Sequence, residues 1–278
     1  MLRTRILVVI LAVFSFASGA PYLRAQGHWE FGIHYSGWSL NLAKSMIEDS
    51  LSDTVASDLK DRILEDIQAD YPSKTETGYN QKISFDSSGD NYGAEVRFYP
   101  GGQNGSFSLG FSLEKSTMKV SLPEVGASLE WEDAITHQTG TFDANATGQF
   151  IIKPLSLHLS LRWDIFPSAR FHPYVTVGVG ATTAKAIDKA TYSYSYTGTL
   201  NVPGDPPKEY SGSESKTLKE LRDEQEAKGE DFSIPLHFLP FVQLNLGLKG
   251  RITDYIHLLV DAGVWDGFLL RAGIALRF

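Results

Sequence analysis

The sequence predicts an all-β protein: a closed eight-stranded antiparallel up-and-down transmembrane β-barrel with a helical insertion in the first outer loop. Three observations predict this fold class. Eight segments alternate apolar and polar residues with the two-residue period of a strand. Long and short connections between these segments follow one another in turn. The polar positions of the segments carry acids and bases in equal number, together with many glycines.

Each of the eight segments is predicted to be a strand because its apolar and polar residues alternate. Their apolar positions run from Trp29 to Tyr35, Tyr92 to Phe98, Phe107 to Leu113, Leu155 to Ile165, Val175 to Val179, Val242 to Leu248, Ile256 to Ala262 and Phe268 to Phe278. A soluble β-sandwich also alternates, but its outward polar faces rarely need so much glycine. In a membrane barrel the apolar face meets lipid and the polar set fills the interior. Because lipid offers no hydrogen bonds to a sheet edge, the sheet must close.

The connections support the same topology. About 50 residues separate strands one and two, about 40 separate strands three and four, and about 55 separate strands five and six. Short turns at Pro100–Gly105, Pro167–Pro173 and Gly250–Asp254 join the strands between them. Outer-membrane barrels show this arrangement, with long outer loops and tight periplasmic turns.

Composition excludes several other classes. The chain has 278 residues with a formal net charge of −8, which argues against a nucleic-acid partner. It has no cysteine, so disulfides, thiolate nucleophiles and cysteine metal sites are excluded. The longest apolar run is far shorter than the roughly 18–20 residues that a membrane-spanning helix needs.

The first 25 residues have the pattern of a secretory signal peptide. Arg3 and Arg5 precede the apolar run Ile6–Phe16, and small residues follow at positions 17–20. We expect cleavage after Ala25, which leaves residues 26–278 as one barrel domain. The protein is therefore expected to be exported.

The polar faces of the strands predict a charged lumen. They carry four acids and four bases: Glu30, Glu95, Asp164, Asp261, Arg97, Arg162, Arg271 and Arg277. Eight strands leave an interior just wide enough for side chains to fill it. We expect a salt-bridged polar network of Glu30, Glu95, Arg97, His158, Arg162, Asp261 and Arg271. The alternative is that these groups and His34 line a narrow passage for small solutes.

Two segments resemble a known superfamily. The chain ends Arg271-Ala272-Gly273-Ile274-Ala275-Leu276-Arg277-Phe278, and Gly273, Leu276 and Phe278 resemble the signal by which the bacterial barrel-assembly machinery recognises its clients. Arg170–Val175, followed by Gly178-Val179-Gly180, is similar to the Pro-Tyr-Val-x-x-Gly-x-Gly segment of the small outer-membrane barrel superfamily, which includes OmpA-like, OmpW-like and opacity-type barrels. The resemblance covers the strands. It implies a porin-like cell-envelope barrel in a Gram-negative outer membrane and leaves the function open.

An enzyme is a remote alternative, because some small outer-membrane barrels modify lipid A. Such chemistry needs a nucleophile, a base and an orienting group within reach of one another. His34, His158 and His257 lie on different strands, and we expect no local Ser-x-His-type arrangement beside them. We therefore predict a non-enzymatic protein with a structural or surface-interaction role and no cofactor or metal.

Two acidic insertions carry most of the net charge. Residues 41–72 contain eight acids and three bases, and apolar residues at about four-residue spacing predict an amphipathic helix. This helix would cap the outer mouth, dock a surface partner, or bind lipopolysaccharide through divalent cations. Residues 203–232 contain nine acids and five bases and predict a mobile or partly helical outer loop.

Two smaller features point to the membrane surface. Tyr192, Tyr194 and Tyr196 are predicted to continue strand five above the membrane and pair with strand six; alternatively they offer a stacking surface for a glycan. Lys115 and Lys119 follow the apolar part of strand three on its outer side. We expect these two lysines to contact the phosphates of lipopolysaccharide in the outer-membrane lipid.

Overall fold

The structure, a computed structural model, describes residues 27–52, 74–227, 238–265 and 267–278. These ranges contain β1 (His28–Ser39), β2 (Lys74–Tyr99), β3 (Phe107–Asp133), β4 (Thr139–Ile152), β5 (Leu155–Asp164), β6 (Phe171–Thr183), β7 (Thr191–Asn201), β8 (Lys208–Thr217), β9 (Phe238–Arg251), β10 (Ile256–Trp265) and β11 (Phe268–Arg277). A 3-10 turn, Asn41–Ala43, leads into helix α1 (residues 44–52); α2 is Ala184–Asp188 and α3 is Leu218–Ala227. The predicted signal peptide and residues 53–72 of the first insertion lie outside the described residues.

Eight of these strands close into a barrel. The ring runs β1-β2-β3-β5-β6-β9-β10-β11 and returns to β1, and every neighbouring pair is antiparallel. The closing pair sets Ile33 of β1 opposite Ile274 of β11. The eight predicted strands, their short turns and the helical insertion are thereby confirmed.

The outer face of the barrel is apolar. Ile33, Leu246 and Leu270 each leave about two thirds of their surface exposed, at 66%, 64% and 64%. Apolar neighbours extend this lipid belt around the ring, among them Phe31, Phe111, Leu113, Leu159, Val177, Val242, Val260 and Ile274. A contiguous apolar surface of this extent is unstable in water and suits a bilayer. Among the described helices, none is long and apolar enough to cross a membrane.

Part of the barrel wall continues far beyond the belt. β2 and β3 have 26 and 27 residues, whereas about 9–11 residues cross a bilayer at a tilt. Above the belt, β3 exchanges its partner β5 for β4, and β7 and β8 follow β4 in the same sheet. We call this extension, made of residues 74–88, residues 117–133, β4, β7 and β8, the outer sheet. Much of the predicted outer loops is therefore strand.

The predicted pairing of the tyrosine segment is wrong. Helix α2 separates β6 from β7, and Tyr192, Tyr194 and Tyr196 lie on β7, which pairs with β4 and β8. Strand six, β9, pairs instead with β6 and β10. The physical reason is that, outside the membrane, β4 and β8 lie on either side of β7 and pair with its backbone N–H and C=O groups. The glycan-stacking interpretation of the tyrosines stays a prediction.

The second acidic insertion is ordered over residues 208–227, as β8 and α3. Thr217 and Glu220 form a reciprocal capping box at the start of α3: the Thr217 N–H donates to the Glu220 carboxylate at 2.8 Å, and the Glu220 N–H donates to Thr217 Oγ1 at 3.2 Å. The Thr217 N–H and hydroxyl both donate to the Glu220 carboxylate, and these two hydrogen bonds hold the pKa of Glu220 below its ordinary value. Strand β8 was not predicted, because its residues show little alternation of apolar and polar side chains.

Glycines inside the barrel leave room for large polar neighbours, which gives a first prediction. A Cβ at Gly247 would lie 2.4 Å from Tyr174 Cζ and 2.6 Å from Asp261 Cβ, whereas a Cβ at Gly37 would meet nothing within 4 Å. We expect Gly247→Ala to lower the free energy of unfolding by about 1–3 kcal/mol, as overpacking does. Gly37→Ala is the control. Urea unfolding in lipid vesicles measures both, and equal values would contradict the packing described.

Candidate functional site

The lumen of the barrel is filled by ion pairs, and Glu30 is the centre of the cluster nearest the short turns. Its carboxylate accepts hydrogen bonds from Lys249 Nζ at 2.5 Å and Arg277 Nε at 3.0 Å. Tyr99 completes the cluster: its hydroxyl accepts from Lys249 at 3.0 Å, and its ring lies 3.8 Å from the Arg277 guanidinium. The Glu30 and Lys249 side chains are 2% and 0% exposed, so both charges are fully buried.

A second cluster lies in the middle of the barrel around Glu95. Arg97 donates to both oxygens of this carboxylate, at 2.6 and 2.8 Å, in bidentate geometry. Arg162 reaches the same carboxylate at 3.3 Å and Glu30 at 3.4 Å. Arg162 therefore links the first cluster to the second.

Asp261 is the third centre. It accepts hydrogen bonds from the Tyr174 hydroxyl, from Asn245 Nδ2 at 2.5 Å and from Arg271 Nε at 3.0 Å. The Arg162 guanidinium lies 4.6 Å from the Tyr174 ring centroid. Three donors, one of them the Arg271 cation, offset the cost of burying this carboxylate.

Glu114 is the centre nearest the outer mouth. It accepts from Asn91 Nδ2 at 2.8 Å and from the Ser112 hydroxyl at 2.9 Å, and His34 Nε2 lies 3.3 Å from it. Apolar side chains close the lumen above this level, and they come from six separate segments: Trp38, Met118, Ile152, Ala190, Phe241 and Leu269. We call this set the apolar cap.

The expectation that no Ser-x-His arrangement accompanies the lumen histidines is wrong. Ser156 and His158 lie two apart on β5, so both point inward, and Ser156 Oγ is 2.6 Å from His158 Nε2. Both side chains are buried below the apolar cap. Ser156 and His158 are 1% and 2% exposed, so neither side chain reaches the surface of the described barrel.

The seven predicted lumen residues all lie inside the barrel, distributed over these centres: Glu30 in the first, Glu95, Arg97 and Arg162 in the second, Asp261 and Arg271 in the third, and His158 beside the fourth. Four further members of these centres were not predicted from the sequence: Lys249, Glu114, Tyr99 and Tyr174. Each has the inward parity of its strand and lies one residue outside the apolar run, Tyr174 before it and the other three after it. Extending the period-two register to the strand ends would have found them.

Of the remaining predicted residues, Leu276, Phe278, Lys115 and Lys119 lie on the outside of the barrel, and Gly273 lies inside it. Phe278 packs against Phe31 and Tyr255, with ring centroids 6.4 and 6.5 Å apart, and Leu276 faces outward on β11. Gly273 faces inward opposite His34, where a Cβ would lie 3.1 Å from His34 Cβ. Lys115 and Lys119 lie on the outer face of β3 above Leu113.

Little empty space remains between the centres. A cavity of about 20 Å³, bordered by Glu95, Arg162, Asp261 and Arg271, has room for about one water molecule. In the described parts of the chain, no group of three or more His, Asp or Glu side chains is placed to hold a metal ion. The arrangement is that of a packed polar core.

The buried network predicts an unequal cost for two lysine substitutions. Lys249→Met breaks the buried pairs of Lys249 with Glu30 and Asp164 and leaves Arg277 as the cation that faces both carboxylates. We expect a loss of up to about 3–5 kcal/mol in the free energy of unfolding. Lys82→Met is the matched control. Lys82 is 70% exposed and paired with Glu124 at 2.7 Å, and such surface pairs contribute about 0–1 kcal/mol. Equal losses in denaturant titrations would contradict the buried network.

Comparisons with known proteins retrieve outer-membrane barrels. The attachment invasion locus protein Ail of Yersinia pestis, in complex with the heparin analogue sucrose octasulfate, is 11% identical, with a TM-score of 0.31 and coverage of 91% of this chain and 99% of that chain. The N-terminal β-barrel domain of Pseudomonas aeruginosa OprF is 12% identical (TM-score 0.28, 91% and 100% covered). Pseudomonas aeruginosa OprG is 10% identical (TM-score 0.25, 91% and 97% covered).

No protein-family model matches the chain, and no curated protein matches its sequence. The fold therefore rests on the chain's own geometry. The ring of eight strands is closed, its outer face is apolar and its interior is ion-paired. The chain folds as a closed eight-stranded antiparallel transmembrane β-barrel.

Proposed function

We propose that the protein is a non-enzymatic outer-membrane barrel, exported through a cleaved signal peptide, whose role is structural or surface-interacting. One observation carries this proposal: the lumen is packed from the Glu30 centre to the apolar cap. A barrel with a packed lumen serves as a membrane anchor for the surface that its outer part exposes. The outer sheet then supplies the interacting surface.

The alternative of a narrow passive channel is disfavoured by the same packing. A solute would have to separate Glu30 from Lys249 and Glu95 from Arg97, and each separation leaves a buried charge without its partner. Breaking a buried pair costs about 3–5 kcal/mol. The apolar cap would then present a second, dry barrier.

The remote alternative of a lipid-modifying enzyme rests on Ser156, His158 and Glu114. A hydrolytic nucleophile must reach a carbonyl of its substrate, and Ser156 is buried in the lumen under the apolar cap. Mass analysis of lipid A from cells with and without the protein tests this alternative. We expect identical lipid A in both.

Planar-bilayer recordings test the sealed lumen. We expect no conductance steps from the wild type or from Arg162→Ala, because the apolar cap stays in place in both. A gel-mobility difference between unheated and boiled samples controls for folding. Steady conductance from the folded wild type would contradict the proposal and favour the channel.

Lipopolysaccharide is the membrane partner that we propose for Lys115 and Lys119, after assembly by the barrel-assembly machinery. Both lysines lie on the lipid side of β3, at the level where the apolar belt ends, and the Lys115 ammonium lies 6.0 Å from the Tyr92 ring centroid. Opposite charge favours lipid phosphates at this level.

Thermal unfolding in vesicles tests this contact. We expect lipid A to raise the unfolding midpoint of the wild type above its value in phosphatidylcholine, and we expect Lys115→Ala with Lys119→Ala to lose that increment. Lys82→Ala with Lys219→Ala removes two exposed lysines far from the belt and should keep it. An unchanged increment in the Lys115/Lys119 variant would count against the contact.

A further inference from the structure

A polar basin lies on the outer sheet directly above the lipid belt. It is a concave surface of about 650 Å³, within the size range of small-molecule sites. Its side chains come from five strands: Asp86 of β2, Lys119 and Ser121 of β3, Thr147 and Gln149 of β4, Ser193 and Ser195 of β7, and Ser213 and Ser215 of β8. We call this set the hydroxyl basin.

The strand register makes the basin one continuous surface. Ser121 lies opposite Gln149, Gln149 opposite Ser193, and Ser193 opposite Ser215. Residues directly opposite one another in an antiparallel sheet share a face. A single row of polar side chains therefore crosses four strands.

The basin faces the membrane periphery rather than the barrel axis. Lys119 and Ser121 have the parity of Phe111 and Leu113, which belong to the lipid belt. The opposite face of the same strands carries Met118, which belongs to the apolar cap, and Phe150, which packs against it. Tyr192 lies opposite Phe150 on β7. A molecule in the basin therefore lies beside the barrel, at the height of the lipid headgroups and just above them.

The chemistry of the basin suits a neutral, hydroxylated partner. Serine, threonine and glutamine side chains both donate and accept hydrogen bonds, as sugar hydroxyls do. Among its outward-facing side chains, Lys119 and Asp86 are charged, with opposite signs. Tyr194 and Glu214 also border the basin, from the opposite parity of β7 and β8. Protein partners are usually held by buried Trp, Tyr and Arg anchors, whereas the basin residues that face outward include none of these types.

The basin is bent into a concave shape by two irregularities of the outer sheet. The β2–β3 register shifts between Ser84 and Asp86, and the β3–β4 register shifts between Leu122 and Val125. Bulges of this kind bend a strand locally. Leu122 and Pro123 form the rim at the second shift.

We propose that the hydroxyl basin binds neutral sugars in the core oligosaccharide of lipopolysaccharide molecules packed against the barrel in the same membrane. This inference rests on the lipopolysaccharide contact proposed above and adds a separate saccharide subsite to it. Lys115 and Lys119 lie at the phosphate level, and the basin extends from Lys119 away from the membrane. Thr147 and Ser195, whose hydroxyls are 2.9 Å apart and exposed, can exchange their mutual hydrogen bond for sugar hydroxyls.

The test compares unfolding midpoints of the full mature chain in vesicles of phosphatidylcholine alone, with lipid A, and with core-bearing lipopolysaccharide that lacks O-antigen. The variant combines Thr147→Val with Ser193→Ala, Ser195→Ala and Ser213→Ala. The matched control removes four hydroxyls from the same face of the same strands, outside the basin: Thr141→Val, Thr197→Val, Thr199→Val and Ser211→Ala. Ser195→Trp, which fills the basin, is a second and independent variant.

We expect core-bearing lipopolysaccharide to raise the wild-type midpoint above the lipid A value. The basin variant and Ser195→Trp should lose that core increment and keep the lipid A increment, while the control keeps both. A core increment that is absent in the wild type, or retained in both basin variants, overturns the saccharide subsite. If lipid A itself gives no increment in the wild type, the phosphate contact of the proposed function fails instead.

Discussion

Closure of the sheet between β1 and β11 is the constraint on which the rest of the structure depends. Lipid cannot hydrogen-bond an open strand edge, so the backbone groups of both terminal strands must pair with each other. The pairing of residues 30–39 with residues 268–277 meets this requirement. Once the ring is closed, alternation assigns every strand residue to lipid or to lumen. The same backbone requirement explains the change of partner along β3. Where the wall leaves the membrane, β3 pairs with β4 instead of β5, so its edge is not left unpaired.

The closed ring turns the lumen into a small core that must accept charge. Eight strands leave space for side chains only, and the four carboxylate centres Glu30, Glu95, Asp261 and Glu114 are each partnered within hydrogen-bonding range by cations, amides or hydroxyls. Arginine and lysine reach across the barrel to carboxylates on other strands, and inward glycines such as Gly247 provide their space. The interior is therefore specific as well as stable, because each cation fits one arrangement of neighbours.

The sequence could predict the ring but not the outer sheet, and the reason is physical. A membrane strand must alternate apolar and polar residues strictly, because one face meets apolar lipid and the other a polar lumen. The strands Leu155–Asp164 and Phe268–Arg277 are therefore easy to recognise in the sequence. Outside the membrane the outward faces of β4 and β8 meet water instead of lipid, and alternation such as that of Ser213 and Glu214 shows little contrast between apolar and polar residues. Lys249 and Glu114 were missed for another reason: each comes directly after the apolar run from which its strand was predicted. The pairing of β7 depends on tertiary partners that no local pattern encodes.

The central claim is that charged side chains lie inside a closed ring and apolar ones outside it. Lysine acylation of the folded protein in vesicles, read out by mass spectrometry, tests this most directly. Lys249 is 0% exposed and Lys82 is 70% exposed. The account predicts that Lys82 reacts in the folded protein, whereas Lys249 reacts only after unfolding. Equal labelling of the two lysines in the folded protein would contradict it.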